Sequence, residues 1–190
     1  MKSKDTNALI LGRFQPFHKG HLEVIRSIAK KWESVTIGIG SAQFSHTGEN
    51  PFTAGERYLM ISNALRDDGI ANCSILPIVD VNRYGVWVAH VVSLVPPFKA
   101  VYTNNALTRR LFSEAGYEVR ASPLFNREIF SGTEIRRRII AGERWKHLVP
   151  KATAKVIAEV DGIQRMRELS VAGTPLRYAN EPAEGSWEDH

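Results

Sequence analysis

Five short apolar runs, each followed by a stretch of helical periodicity or a helix signal, constrain this chain more than any other feature of it. ALILG (8–12), SVTIGIG (34–40), CSILPIV (73–79), KAVYT (99–103) and YEVRA (117–121) read as strands. Their β-branched and aliphatic content suits strands buried between two layers rather than strands with one face in water. Between them, HLEVIRSIAKKW (21–32) carries Leu22, Ile25, Ile28 and Ala29 at helical spacing. Thr53-Ala54-Gly55-Glu56 has the form of a capping box and predicts a helix over 54–68. VWVAHVVSLV (86–95) is compatible with a helix despite its valines, and TRRLFSEAG (108–116) with a helix stopped by Gly116. Ser131-Gly132-Thr133-Glu134 is a second capping box, opening the helix IRRRIIAGE, and Pro150 heads a last helix over about 151–160. The alternation predicts an α/β fold of Rossmann-like type: a central parallel sheet of about five strands flanked by helices, with a C-terminal helical extension. Right-handed crossovers then place ligand chemistry at the carboxyl ends of the strands.

Composition narrows the function classes. At 190 residues and 43% hydrophobic the chain is long and apolar enough to bury a core, which excludes disorder throughout. We expect one domain over 1–170 and a polar, acidic tail over 171–190. The single cysteine, Cys73, excludes a disulfide framework and fits a reducing compartment. No apolar run is long enough to be a signal segment or a membrane span, so the expectation is a cytoplasmic protein without a membrane partner. The net charge is +5, and all 25 Lys and Arg precede position 178 whereas four of the 20 acids follow it. The body is therefore strongly basic and suited to an anionic partner. Dense basic runs with interleaved aromatics are absent, which favours a polyphosphate nucleotide over nucleic acid as the ligand.

Which phosphate motif the chain uses is settled partly by elimination. Gly38 and Gly40 follow a strand, but Gln43 stands at the third glycine position of a dinucleotide fingerprint, and GxxxxGK[ST] does not occur. There remains the first strand-to-helix turn, GRFQPFHKGH (12–21). Gly12 permits a close turn, Pro16 fixes its path, and Gly20 leaves room at the helix start. His18 and His21 fall one turn apart on one helical face, where free N–H groups also point, and Arg13 adds a permanent charge. Either histidine alone reads as an ordinary surface residue; a zinc pair would need i, i+4 spacing with a Glu, which is missing, so no protein-held metal is expected.

GRFQPFHKGH resembles the HxGH signature of the nucleotidyltransferase superfamily, and FSGTEIRRR (130–138) resembles that superfamily's downstream arginine motif. Together with GSAQFSHTGENPFTAGER (40–57) and LVPPF (94–98), they are similar to the archaeal type of nicotinamide-nucleotide adenylyltransferase, over about 8–160. The resemblance implies adenylyl transfer from ATP to nicotinamide mononucleotide (NMN) by direct in-line attack, with Mg²⁺ carried on the ATP phosphates. It implies His18, His21 and Arg136 as catalytic residues, and Gly12, Arg13, Phe14, Gly20, Ser131 and Thr133 as ATP contacts. The histidines would act as donors whose protonation matters near neutral pH. For the nicotinamide nucleotide it points to Asp80 and Trp87, with Ser41, Gln43, Asn104, Asn105, Phe125 and Arg127 as further candidates. Arg137 and Arg138 diverge from Arg136 by about 100° per residue, and read as a solvated face or a subunit contact. Glu49 stands where some archaeal members carry Arg, and Tyr84 where a small polar residue is expected. A homo-oligomer, a hexamer, is implied by the resemblance alone. The alternatives are another HxGH adenylyl- or cytidylyltransferase, acting on pantetheine phosphate or flavin mononucleotide, and a non-catalytic nucleotide- or RNA-binding module.

Overall fold

In the computed structural model, which describes residues 5–123 and 129–171, five parallel strands form one sheet in the order β3-β2-β1-β4-β5. The strands are β1 (Asp5–Gly12), β2 (Trp32–Ile39), β3 (Cys73–Pro77), β4 (Ala100–Tyr102) and β5 (Glu118–Arg120). The helices are α1 (Lys19–Ala29), α2 (Ala54–Asp67), α3 (Tyr84–Leu94), α4 (Ala106–Glu114), α5 (Gly132–Ile140), α6 (Lys151–Glu159) and α7 (Gly162–Val171). The expected α/β architecture is therefore present, with ends shifted by one to three residues at most elements.

Side-chain alternation along β1 shows why its sequence is apolar throughout. Ala8 and Ile10 enter one core with residues of α1, α2, α5, α6 and α7, while Leu9 enters another with Val88 and Val91 of α3 and Phe112 of α4. Residues 8–10 are at most 5% exposed, so neither face of this central strand meets water. The chain winds outward from β1 through β2 to β3, then returns across α3 to place β4 on β1's other side. Strand order reverses between β1 and β4, and a crevice opens at the carboxyl ends of strands at such a point.

Two helices differ in detail from expectation. The box at Thr53 is complete: its side chain accepts from the Glu56 N–H, and the Glu56 carboxylate accepts from the Thr53 N–H. The one at Ser131 is only half made, since Glu134 turns outward to Arg137 and Arg138 instead. The C-terminal extension contains two helices, not one. Asp161 at φ 50° breaks α6 from α7, and Gly162 follows because a Cβ there would lie 2.7 Å from the Phe52 ring. Arg165 then ties α7 to α2 through both oxygens of Glu56, at 2.8 and 2.9 Å. A short 3₁₀ turn at Lys146–Leu148 also lacked a sequence signal. No helix among the described residues is long and apolar enough to cross a membrane. The expected tail lies almost wholly outside the described residues.

Candidate active site

The turn after β1 answers why two histidines stand three residues apart. His18 is the N-cap of α1, and its Nδ1 accepts from the His21 backbone N–H at 3.2 Å. His21 Nδ1 accepts from the His18 backbone N–H at 3.3 Å. The two imidazoles thus form a reciprocal capping box, in the places a Ser/Thr and a Glu usually take. With both Nδ1 atoms accepting, each neutral ring carries its proton on Nε2. The rings stack 3.5 Å apart at 17°, and Phe14 and Phe17 pack against His21. Burial pushes the His18 pKa down to about 4. It also holds His21 well below the ordinary imidazole range, with the neighbouring His18 adding to the effect. Burial thus moves the titration expected near neutral pH well below it: near pH 7 both rings are neutral and present an Nε2–H rather than an imidazolium.

Two cavities open at the carboxyl ends of β1 and β4 and share Leu11, Gly12, Thr103 and Asn105 as their common floor. The first, about 330 Å³, is lined by His18, Gly20, His21, Phe14, Asn104 and Ser131. The second, about 410 Å³, is lined by Arg13, Ser41, Asp80, Tyr84 and Trp87. Most of the expected residues therefore converge on one divided cleft. Asn104 falls in the histidine cavity, whereas the other nicotinamide-nucleotide candidates that line a cavity reach the second. Asn105 lines both and caps α4, its side chain accepting from the Thr108 N–H at 2.9 Å. Phe125 and Arg127 lie outside the described residues.

Three expected residues line neither cavity. Gln43 sits behind the second one, clamping the Asp80 backbone through its amide at 3.0 and 3.1 Å. Asp80 in turn accepts from the Ser41 hydroxyl at 2.6 Å and from the Trp87 indole at 3.4 Å. Trp87 also meets Phe112 edge-on at 5.7 Å, so it is anchored in the core on one side and lines the cleft on the other. Arg136 is 9% exposed; it donates to the Gln15 carbonyl at 2.7 Å, while Thr133 accepts from it at 3.5 Å. Burial first, and the charge of Arg13 second, lower its pKa. Arg137 and Arg138 pair with Glu134, and Arg137 also with Glu143; neither lines the cleft.

The glycines serve packing as much as ligand approach. A Cβ on Gly20 would lie 2.9 Å from Phe130 and 3.1 Å from the His18 ring, so the first need for glycine is the seating of the histidine turn. At Gly132 a Cβ would meet the Gln15 carbonyl at 2.7 Å, which keeps the start of α5 against the β1–α1 turn.

Residues that sequence reasoning passed over hold the cleft's walls. Thr103 lies on the shared floor, its hydroxyl accepting from the Asn105 N–H at 3.1 Å. Gln15 binds both backbone groups of Phe52, at 2.8 and 3.0 Å, joining the β1–α1 turn to the segment before α2. Arg57 is fully buried and donates to carbonyl oxygens of Arg13, Gly40, Ser41 and Thr53 at 2.9–3.2 Å. Burial, and then Arg13, push its pKa down to about 10. The signal for Arg57 was a cation in the first turn of α2, a place where the helix dipole disfavours positive charge. Glu49, noted as a departure, pairs with Arg13 at 3.0 Å, and Tyr84 is 65% exposed at the rim of the second cavity. Among the described residues no three His, Cys, Asp or Glu side chains come together to hold a metal ion.

A family model described as cytidylyltransferase-like matches residues 9–138. The chain is 58% identical over 163 residues to a nicotinamide-nucleotide adenylyltransferase of Picrophilus torridus, covering 86% of this chain and 96% of that one. It is 55% identical to the protein of the same name from Thermoplasma acidophilum, over 88% and 93% of the two chains. In structure it is similar to a bifunctional NMN adenylyltransferase/ADP ribose pyrophosphatase of Francisella tularensis, solved with AMP and a Mn ion, at a TM-score of 0.73 and 23% identity. That likeness speaks for the fold; it covers 88% of this chain and 53% of the bifunctional one.

Proposed function

The chain belongs to the nicotinamide-nucleotide adenylyltransferases, within a cytidylyltransferase-like fold family, and from that membership we infer how its divided cleft works. The enzyme joins the adenylyl group of ATP to NMN and releases NAD and pyrophosphate. In our reading an oxygen of the NMN phosphate attacks the α-phosphorus in line, and the bond to the pyrophosphate oxygen breaks. The attacking oxygen is already anionic, so the protein needs neither a nucleophile nor a strong base. Its work is alignment and stabilisation of charge on the α-phosphate and the leaving group.

The observation that carries this assignment is the shared floor. ATP occupies the cavity of His18, His21 and Ser131, NMN occupies that of Asp80 and Trp87, and the reacting phosphates meet over Gly12, Thr103 and Asn105. The two Nε2–H groups donate to phosphate oxygens, Arg13 contributes charge from the second cavity's edge, and the start of α5 at Ser131 offers backbone donors. Arg136 reaches the β- and γ-phosphates by exchanging the Gln15 carbonyl for them, or stiffens the turn that does. Asp80 and the Trp87 face bind the ribose and pyridine ends of NMN, with Phe125 and Arg127 as further contacts. Mg²⁺ arrives as part of the ATP substrate, screening its phosphates.

Further to this, we read the protein as cytoplasmic and homo-oligomeric, without a stable nucleic-acid partner. The single cysteine supports the first, and the exposed apolar residues Val86 and Leu94 of α3 support the second.

An acceptor panel tests the reaction. The protein is mixed with ATP, Mg²⁺ and, in turn, NMN, nicotinic acid mononucleotide, pantetheine phosphate and flavin mononucleotide, and pyrophosphate is measured. Release with NMN and formation of NAD are expected. Pyrophosphate only with pantetheine phosphate or flavin mononucleotide, or with none of the four, would overturn the assignment.

A further inference from the structure

Arg57 has no part in the assignments above, yet among the described residues it is a fully buried cation with no ion-pair partner. It is 0% exposed, no carboxylate among the described residues ion-pairs with it, and its partners are backbone carbonyls. A buried cation with no ion-pair partner is costly, and the carbonyl oxygens together with the more distant charge of Glu56 offset only part of that cost. Two of those carbonyls precede residues in strained backbone. The Arg13 carbonyl, 2.9 Å from Arg57, leads into Phe14 at φ 52°. The Gly40 carbonyl, also 2.9 Å away, leads into Ser41 at φ 49°. For a residue with a side chain as bulky as Phe14 this left-handed conformation is a genuine outlier, held only where its surroundings impose it. Both residues line the cleft, Phe14 the histidine cavity and Ser41 the other.

Both peptide links are trans, since Gln15–Pro16 is the cis bond among the described residues. In a trans peptide the C=O and N–H point in opposite directions. Drawing the Arg13 and Gly40 carbonyls onto Arg57 therefore turns the N–H groups of Phe14 and Ser41 away from it, on the side of the cleft. We infer that Arg57 is a positioning residue for the reaction: it holds the carboxyl ends of β1 and β2 by their carbonyls, aims the Phe14 N–H at the triphosphate and the Ser41 N–H into the neighbouring NMN cavity, and leaves beneath the cleft a positive charge that the nucleotide itself neutralises. Arg136 grips the same turn at the Gln15 carbonyl, where the following Pro16 has no N–H to aim, so the β1–α1 turn is held by guanidiniums from α2 and from α5. The inference rests on the proposed function only in taking the anion to be the triphosphate of ATP.

Calorimetric titration with inorganic triphosphate, and separately with adenosine, tests it on the full-length protein without turnover. Arg57→Gln removes the charge; Arg57→Lys keeps the charge and loses the fork. Both are expected to bind triphosphate more weakly than the unaltered protein, by roughly tenfold for Gln and less for Lys, with adenosine affinity nearly unchanged. Asn72→Ala is the control, because Asn72 also spends its amide on carbonyls, of Ala29, Trp32 and Glu33, at the opposite end of the sheet. It should leave triphosphate binding intact while lowering the melting temperature. If Arg57→Gln does not fold, Arg57→Lys carries the comparison. Unweakened triphosphate binding in the folded Arg57 variants, equal losses for triphosphate and adenosine, or equal weakening in Asn72→Ala, would overturn the role. A protein that binds triphosphate as described but forms no NAD would refute the proposed reaction and leave Arg57's role standing.

Discussion

At the residue scale the site is a set of groups whose chemistry is fixed before substrate arrives. The two Nδ1 atoms are committed to backbone N–H groups, so the Nε2 protons are the ones left to donate. His21→Ala is expected to lower turnover by roughly a hundredfold or more, as for loss of one donor to developing charge, with a smaller change in the KM for NMN; steady-state kinetics with each substrate varied decide it. The same burial has a consequence in acid. An unfolded His18 takes up a proton near pH 6.5, whereas the folded ring refuses it until about pH 4. Stability should therefore fall as the pH drops from 6.5 towards 4, by on the order of 3 kcal/mol from this ring, and stop falling on its account below that. Urea unfolding at several pH values, with NMR titration of the imidazole signals, measures both. Trp87→Ala should raise the KM for NMN while leaving that for ATP nearly unchanged; an equal rise for both would assign Trp87 to the core through its contact with Phe112.

At the scale of elements, helix starts do more than begin helices. α1, α2 and α5 each bring their amino end to the β1–α1 turn, through the histidine pair, Arg57 and the Gly132 contact with Gln15. Thr53→Ala removes the cap of α2 and should cost about 1 kcal/mol of unfolding free energy, read from denaturant midpoints. Met166, 2% exposed, joins α7 to the main core, and Met166→Ala should cost about 2–5 kcal/mol. A loss below 1 kcal/mol there would mean that α7 contributes little to the fold. The order of strands and helices was legible because hydrophobic runs and caps are local signals. The break at Asp161 was passed over although Asp161-Gly162 is a local turn signal: Asp tolerates the left-handed region, and glycine at 162 lets the start of α7 meet Phe52.

For the whole molecule, the sheet's reversal between β1 and β4 creates the cleft, and the basic body supplies its field. Net charge and the guanidiniums of Arg13, Arg57 and Arg136 should steer ATP, so kcat/KM for ATP is expected to fall as ionic strength rises across the physiological range. Stopped-flow association at varied salt checks this; a rate independent of salt would remove steering from the account.

What the sequence determined by itself was the α/β layering and the place of the histidine turn, because each of these rests on spacing within a few neighbouring positions; Asp80, Trp87 and Arg136 came from the resemblance to a family. The tertiary structure alone decided the protonation of the histidines, the retreat of Gln43 and Arg136 behind the cleft walls, and the importance of Arg57 and Gln15. Burial, and the identity of a partner 37 to 121 positions away, as for Gln15 with Phe52 and Arg136, are properties of packing. No local pattern encodes them.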